Sequence, residues 1–290
     1  MRLGLHAIGI GSGARRDVID AVARAAEARG VATLWAGEHV VMVDRPASRY
    51  PYSGDGVIAV PAAADWLDPL VALSFAAAAT ESITLATGVL LLPEHNAVLL
   101  AKQAASLDVL SGGRLTLGIG VGWSREEFEA LGIPFERRGA RAAEYLHAMR
   151  VLWRDDVASY DGEFVSFSDV RVNPKPVRDR RIPVIVGGNS DPALRRVATM
   201  ADGWYGFNLA SPEAVAERLE CLSAHCAEAG RDRDDLYLAV ALAEGEPTDA
   251  RVLSDLGVDE LVLVDTPPED ATDVDAWLGA LTDPWIAAAP

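Results

Sequence analysis

Cysteine is scarce in this sequence, and no long apolar run is present. The only two cysteines, Cys221 and Cys226, lie on one predicted helix at a spacing that fits neither a zinc ligand set nor a thioredoxin-like pair. His225 lies beside them, but the segment offers no other ligand, so we expect no metal site. No run of about 18 uncharged apolar residues occurs, which argues against a membrane span. Glycines interrupt the N-terminal segment before a signal peptide could form, so we expect a cytoplasmic protein.

Positive charge is also scarce. The 290 residues include 26 Lys plus Arg against 43 Asp plus Glu, which gives a formal net charge of −17. Nucleic acids and anionic membranes recruit basic surfaces, so this acidic excess argues against both as partners. An anionic ligand must then be held by a few local groups. We therefore expect a small-molecule substrate.

The sequence does contain a regular alternation of apolar strands and helical stretches. Eight strands are predicted, at Leu3–Gly9, Thr33–Ala36, Thr84–Leu91, Leu115–Val121, Ile182–Gly187, Gly203–Phe207, Leu236–Ala241 and Glu260–Val264. Eight such units fit a single (β/α)8 TIM barrel over residues 1–290, whereas an open doubly wound sheet usually stops at five or six strands. Ligands of such barrels bind at the carboxyl ends of the strands.

Local signals support these boundaries. Asp68-Pro69 and Ser211-Pro212 are typical helix starts, and Ser124 with Glu127 predicts a capping box. Two stretches interrupt the alternation. Residues 40–66 are rich in Pro, Gly and Tyr and follow the second strand, which predicts a lid or substrate loop at the barrel mouth. Residues 157–177 contain an Asp161-Gly162 turn, which predicts a hairpin inserted before strand five.

Glycines recur at every second position in the fourth strand, at Gly118, Gly120 and Gly122. Residues two apart in a strand point to the same face, so this spacing predicts a face without side chains on which a flat ligand could lie. The alternative is that the glycines accommodate bulky neighbours inside the barrel. A Rossmann fingerprint is not indicated, because its glycines belong to the turn and the helix start. Gly88 interrupts the neighbouring strand, which suggests a bulge.

A phosphate site is predicted after strand five. The strand leads into Gly187, Gly188, Asn189 and Ser190, and the helix that follows carries Arg195 and Arg196 in its early turns, of which we expect Arg195 to bind the phosphate. Free backbone N–H groups, the positive helix end and a guanidinium together bind phosphate well. Glu38 and His39 follow the second strand, so both are expected to face the barrel mouth, where they could position or protonate a reacting group.

Taken together, these residues resemble the luciferase-like monooxygenase superfamily, and specifically its actinobacterial branch that uses the deazaflavin coenzyme F420. The resemblance is carried over residues 1–210 by the motifs LWAGEH, LATGVLLLP, LAKQAASLDVLSGGRLTLGIGVGW, RRG, PVIVGG and ADGW. It implies a (β/α)8 barrel with an insertion before strand five, a homodimer, and hydride transfer at the deazaflavin ring.

The resemblance also implies roles for individual residues. The ring would rest against a bulge in strand three, with a non-proline cis peptide at Gly88-Val89 and Thr87 alongside. Gly120, Gly122 and Trp123 would border the same pocket. The phosphate would sit at Gly187, Gly188, Asn189 and Ser190, and Glu38 and His39 would lie near the ring edge.

One position departs from the pattern. The sugar-phosphate dehydrogenases of the superfamily carry a glutamate, their presumed proton donor, where Trp123 stands. Tryptophan cannot supply that proton, so we expect an apolar or planar substrate. The alternatives are an FMN-dependent monooxygenase on the same pocket and a non-catalytic flavin-binding barrel. A sugar-phosphate isomerase or aldolase is disfavoured, because the only lysines, Lys102 and Lys175, fall outside the predicted strand ends.

Overall fold

Parallel strands close into a barrel in the computed structural model, which describes residues 1–288. The strands are β1 Arg2–His6, β2 Thr33–Ala36, β3 Thr84–Thr87, β4 Leu90–Leu91, β5 Leu115–Gly120, β6 Ala158–Asp161, β7 Ser166–Val170, β8 Val184–Gly187, β9 Gly203–Leu209, β10 Tyr237–Leu242 and β11 Glu260–Val264. The order around the barrel is β3-β2-β1-β11-β10-β9-β8-β5, and pairing of β3 with β5 closes it. The predicted TIM barrel is confirmed. The predicted third strand is divided, because Gly88 and Val89 separate β3 from β4.

Helices surround the barrel. They are α1 Arg16–Ala28, α2 Pro69–Ala79, α3 Ala97–Leu110, α4 Arg125–Ala130, α5 Arg138–Arg154, α6 Asp191–Met200, α7 Pro212–Glu228, α8 Asp249–Asp255 and α9 Val274–Ala288. The two predicted helix starts are confirmed, since the Asp68 carboxylate accepts a hydrogen bond from the Val71 N–H at 2.9 Å and the Ser211 hydroxyl from the Ala214 N–H at 3.4 Å. Among residues 1–288, no helix is long and apolar enough to cross a membrane.

The barrel interior is filled by side chains. Trp35 and Tyr205 stack with ring centroids 4.6 Å apart, and both are buried. Below them Glu260, which is fully buried, accepts hydrogen bonds from Thr33, Trp35 and Tyr237. Because this packed layer closes the lower part of the barrel, a ligand can enter only above Trp35 and Tyr205, at the carboxyl ends of the strands.

Both predicted insertions are present at the predicted positions in the chain. Residues 40–66 contain no helix or strand and pack over the carboxyl ends of the strands, where the Asn208 amide donates to the Tyr52 carbonyl at 2.7 Å. The residues before β8 form an antiparallel hairpin from β6 and β7. Because the first segment lies at the mouth, we call residues 40–66 the lid loop.

Candidate functional site

The strand-three bulge lies at the centre of the barrel mouth. The peptide bond between Gly88 and Val89 is cis, as the resemblance implied, and both residues are partly exposed. The Gly88 N–H donates to the Ala36 carbonyl at 2.7 Å, and the Thr87 hydroxyl donates to the Gly118 carbonyl at 2.6 Å. The bulge is therefore tied to both neighbouring strands and forms a fixed platform above Trp35.

The strand-four glycines do not form an open face, so that expectation is corrected. A Cβ built on Gly118 would lie 1.9 Å from the Thr87 carbonyl oxygen, and one on Gly120 would lie 2.7 Å from a methyl group of Val89. A Cβ built on Gly187 would also lie 2.7 Å from a methyl group of Val89, and one on Gly122 would lie 2.7 Å from the Phe128 ring. The glycines accommodate the bulge and its valine, which is the alternative that the sequence left open. A ligand can lie on Gly88 and Val89, but the space above Gly120 is already occupied.

Glu38 binds the segment that follows the bulge. Its side chain is buried, and one carboxylate oxygen accepts from the Leu91 N–H at 2.6 Å while both oxygens lie 3.0 Å from His95 Nε2. Burial opposes protonation of His95, but the hydrogen bond and charge of Glu38 outweigh it, so the pKa of His95 is raised. The expectation that Glu38 faces the mouth is corrected, because its oxygens hold the segment after the bulge.

His39 forms a pair with Glu127. Its Nδ1 lies 2.8 Å from Glu127 Oε2, and its side chain is only 7% exposed. The other Glu127 oxygen accepts from the N–H groups of Val40 and Val41, at 2.7 and 3.3 Å. The predicted capping box is thus half correct: the Ser124 hydroxyl accepts from the Glu127 N–H, but the Glu127 carboxylate turns to His39 and the lid loop.

This pairing fixes the orientation of the imidazole. Nδ1 faces Glu127, and His39 Nε2 has no hydrogen-bond partner among residues 1–288. The ring lies between Trp66 and Trp123, with edge-on contacts at 4.9 and 5.7 Å between centroids. An imidazole oriented by a carboxylate can exchange a proton through its second nitrogen.

Glu94 adds a third carboxyl group to this region. It ends the short 3-10 turn Leu92–Glu94, is only 6% exposed, and its two oxygens have no hydrogen-bond partner among the described residues. Burial raises its pKa to about 9, helped by the negative charges of Glu127 and Glu38. Glu94 is therefore an uncharged acid near neutral pH.

Aromatic side chains of the lid loop cover the mouth. Tyr50 packs edge-on against Trp123 and Tyr52 packs edge-on against Phe207, each with ring centroids 5.4 Å apart. The indole N–H of Trp66 donates to the Gly37 carbonyl at 3.1 Å. Burial raises the pKa of both Tyr50 and Tyr52, so their hydroxyl groups stay protonated. Trp123 forms one wall of this largely apolar enclosure, next to His39 and Tyr50.

The lid loop is held down by the start of α4. One carboxylate oxygen of Glu126 accepts from the N–H groups of Ala47 and Ser48, at 2.6 and 3.0 Å, and the Ser48 hydroxyl accepts from the Arg125 N–H at 3.0 Å. Together with Glu127, consecutive residues of one short helix therefore anchor both the lid loop and the imidazole of His39.

The predicted phosphate loop lies at the end of β8. Gly188 has a φ of +119° that favours glycine, and the Asn189 amide donates to the Phe207 carbonyl at 2.7 Å while its own oxygen is buried without a partner. Ser190 is exposed and directly precedes α6. The predicted arginine, Arg195, points away: its side chain is 62% exposed and lies 3.5 Å from Asp191.

The next residue, Arg196, points inward instead. Its Nε is buried without a partner, and its pKa is lowered by burial and by the positive charge of Arg138. Arg138 begins α5, donates to the Gly122 carbonyl at 3.0 Å, and also has a lowered pKa because of burial. Among residues 1–288, no salt bridge to either guanidinium is found. Two neighbouring guanidinium groups without a salt-bridge partner among these residues suit an anion.

His6 completes the mouth, at the end of β1. Its Nδ1 lies 3.4 Å from the Tyr205 hydroxyl, while Nε2 is buried without a partner. A Cβ on Gly37 would lie 3.1 Å from that Nε2, and one on Gly88 would lie 3.4 Å from the adjacent ring carbon. Burial lowers the pKa of His6 to about 4, so the imidazole is neutral at pH 7.

Sequence reasoning missed several of these residues. Glu127 was assigned only to a helix cap, and Glu94 and the two lid tyrosines were not singled out. Arg196 was noted beside Arg195 but not chosen as the phosphate ligand. Arg138 belongs to the RRG motif, but no role was assigned to it. No local pattern distinguishes Glu94, because its importance comes from groups that are distant in sequence.

Known proteins of similar sequence include enzymes and uncharacterised proteins. The chain is 38% identical over 265 residues to the uncharacterised protein Rv0953c of Mycobacterium tuberculosis, covering 90% of this chain and 91% of that protein. It is 34% identical over 156 residues to the FMNH(2)-dependent dimethylsulfone monooxygenase of Pseudomonas putida, covering 53% of this chain and 42% of that protein.

Solved structures share the fold over the whole chain. The coenzyme F420 dependent tetrahydromethanopterin reductase of Methanopyrus kandleri superposes with a TM-score of 0.75 at 16% identity, covering 98% of both chains. An F420-dependent secondary alcohol dehydrogenase gives 0.76 at 14% identity, again covering 98% of both chains. The monooxygenase RslO1 of Streptomyces bottropensis gives 0.75 at 19% identity, covering 98% of this chain and 99% of that one. The sequence profile of the luciferase-like monooxygenases matches residues 4–244, so this chain belongs to the luciferase-like monooxygenase family.

Proposed function

We propose that the protein is an F420-dependent oxidoreductase whose coenzyme ring lies on the Gly88-Val89 bulge. The observation that carries the proposal is the set of buried polar atoms without partners. Buried polar groups in proteins are nearly always hydrogen-bonded. Here His6 Nε2, Asn189 Oδ1 and Arg196 Nε are exceptions. His6 ends β1, Asn189 follows β8, and Arg196 lies on α6, the helix that begins two residues after Asn189.

These atoms fit a flat ring with an anionic tail. The Tyr205 hydroxyl can satisfy His6 Nδ1, which leaves Nε2 as the nitrogen that carries the ring proton and can donate toward a group on the bulge. The Ser190 N–H and the Arg138 and Arg196 guanidinium groups would hold the phosphate, whereas the Asn189 amide oxygen is an acceptor and would take a donor group, such as a hydroxyl, of the ligand. In this proposal Arg196 replaces Arg195 as the phosphate arginine, because only Arg196 points inward.

When bound, the deazaflavin supplies a carbon that accepts or gives a hydride. The chain itself supplies orientation and a proton path. The fixed bulge holds the ring, and His39, oriented by Glu127, positions the substrate and exchanges a proton through Nε2. Tyr50, Tyr52 and Trp123 exclude water from the mouth. Their apolar surfaces favour an apolar or planar organic substrate.

The choice of F420 over FMN draws on the sequence motifs that resemble the F420-dependent branch of the superfamily. The solved structures do not separate the two coenzymes, since the monooxygenase RslO1 covers this chain as fully as the F420-dependent enzymes do. The FMN-dependent monooxygenase and the non-catalytic flavin-binding barrel are the competing functions. The apoprotein should be titrated with F420 and with FMN while the fluorescence of each is followed. Tight binding of FMN with no response to F420 would reverse the proposal.

A matched pair of variants tests the phosphate site separately. Arg196→Leu removes the inward guanidinium and should weaken F420 binding by roughly 10- to 100-fold, as expected for loss of a charge-assisted contact. Arg195→Leu removes a neighbouring guanidinium on the exposed face and should leave the affinity unchanged. Equal effects of the two substitutions, or a larger effect of Arg195→Leu, would place the phosphate elsewhere.

We also propose that the protein forms a homodimer through α2 and α3. Both helices leave large apolar side chains exposed, including Val71 at 64%, Leu99 at 57% and Leu110 at 78%. Exposed apolar surface on neighbouring helices is typical of an association interface. Light scattering of the purified protein should give twice the chain mass, and Val71→Glu combined with Leu99→Glu should give a monomer. A wild-type protein of single chain mass at high concentration would refute the dimer. Cytoplasmic location stays a prediction.

A further inference from the structure

We propose a binding site for a divalent metal ion of the zinc class between α6 and α7, formed by Asp191, Cys221 and His225. Neither the family nor the proposed coenzyme requires it. One potential ligand atom from each residue lies within 4.8 Å of the others. No sequence pattern predicts this site, because Asp191 lies on a different helix, 30 residues before Cys221.

The distance between sulfur and oxygen matches tetrahedral coordination, and the distance between nitrogen and oxygen requires a small adjustment. With zinc bonds of 2.0–2.3 Å, sulfur and oxygen ligands should lie about 3.6 Å apart, and nitrogen and oxygen ligands about 3.4 Å apart. Cys221 Sγ lies 3.5 Å from Asp191 Oδ1, and His225 Nε2 lies 2.9 Å from the same oxygen. Asp191 has to move by about half an ångström away from the imidazole, which its exposed position on the first turn of α6 permits.

The surroundings of the ligands also suit a metal. Cys221 and His225 are four residues apart on α7, so their side chains lie on the same face of a rigid helix. His225 Nδ1 lies 3.3 Å from a carboxylate oxygen of Glu228, the kind of outer partner that orients a metal-binding histidine. A thiolate and an imidazole select zinc-class ions over calcium or magnesium, which prefer oxygen ligands. Because Asp191 is exposed, a water molecule can take the fourth position.

Metal binding must release protons, since the ligands are a thiolate and a neutral imidazole. Burial and Asp191 raise the pKa of Cys221, and Asp191 and Glu228 raise that of His225. Arg195 and Arg218 also face the cluster and act in the opposite direction on the thiol. The affinity should therefore rise with pH by roughly tenfold per unit or more around neutrality.

The test uses cobalt(II) as a spectroscopic probe on chelator-treated, reduced full-length protein. We expect one cobalt ion per chain, a thiolate-to-metal charge-transfer band, and displacement of the cobalt by zinc. Cys221→Ser should abolish the band, and His225→Ala and Asp191→Asn should weaken binding by roughly a hundredfold, more than loss of an outer partner does.

Cys226→Ser is the matched control, because Cys226 lies one residue beyond His225 but is buried in the core. It should keep both the band and the affinity. Circular dichroism of each variant verifies that it is folded. Absence of a thiolate band in the wild type, or its persistence in Cys221→Ser, would overturn the site.

Discussion

The protonated state of Glu94 gives a prediction that does not depend on any ligand. Its carboxyl group is buried, has no hydrogen-bond partner among residues 1–288, and lies near the negative charges of Glu127 and Glu38. Glu94→Gln replaces a neutral acid with a neutral amide of nearly the same shape. The variant should therefore fold as the wild type does, but its stability should depend differently on pH.

The size of the effect follows from proton linkage. The pKa of Glu94 is about 9 in the folded protein, against 4.5 for an ordinary glutamate. Between these two values the unfolded chain has released the proton and the folded protein has kept it. The free energy of unfolding therefore falls by about 1.4 kcal/mol for each unit of rising pH. From pH 5 to pH 8 the wild type should lose up to about 4 kcal/mol that Glu94→Gln does not lose.

The assay is urea unfolding, followed by tryptophan fluorescence, at intervals between pH 5 and pH 8. The measured quantity is the difference in unfolding free energy between Glu94→Gln and the wild type, which should grow steadily in favour of the variant. Glu129→Gln, on the exposed face of the nearby α4, controls for loss of one negative charge without burial. A difference between Glu94→Gln and wild type that stays constant with pH would show that Glu94 is ionised in the folded protein, and the reasoning would fail.

The remaining predictions address the histidines and the glycines. The pKa of His6 is about 4 rather than 6.5, so the wild type should lose about 1.4 kcal/mol of stability per unit as pH falls through this window, and His6→Gln should remove that dependence in the same unfolding assay. Gly118→Ala should destabilise the fold by about 3 kcal/mol or more, since its methyl would meet backbone, and thermal unfolding measures this. In Gly120→Ala the added methyl would press on a methyl group of Val89, which can shift. This variant should therefore fold, but the displaced Val89 should weaken coenzyme binding roughly tenfold in the fluorescence titration. His39→Ala should lower kcat by roughly 100-fold or more, whereas Glu127→Gln should lower it less and shift its pH profile, which a merely structural carboxylate would not do.

The fold could be predicted from the sequence because its strands and several of its helix starts carry local signals. Predicted apolar strands of four to eight residues alternate with helical stretches, and the side chains of Asp68 and Ser211 do cap the helices that follow them. These signals depend on residues within one turn or one strand of each other. Closure into a barrel then follows from the number of strands, since eight parallel strands leave no edge unpaired.

The sequence predicted where the candidate site lies but not which side chains pair within it. Strand ends and loops locate Gly88, His39 and Asn189 at the mouth, but the partner of each polar side chain is set by tertiary structure. Glu127 could be seen in the sequence as the third residue of a helix, which suggested a cap; its carboxylate instead reaches His39, 88 residues earlier in the chain. Similarly, the choice between Arg195 and Arg196 depends on the rotation of α6, which periodicity does not fix to within one residue.

Charge at the mouth is divided in a way that limits the possible ligands. On the side of β2 and β4, Glu127 is paired with His39 and Glu94 keeps its proton, and Glu38 behind them is paired with His95, while the neutral imidazole of His6 lies at the centre. On the side of β8, Arg138 and Arg196 lie close enough that the charge of Arg138 lowers the pKa of Arg196, and neither forms a salt bridge among residues 1–288. A ligand must therefore be uncharged and flat where it meets the bulge and anionic where it meets the arginines. A flavin or deazaflavin with its phosphate tail satisfies both halves, whereas a free sugar phosphate satisfies only the second and would leave the bulge and its aromatic cover without a partner.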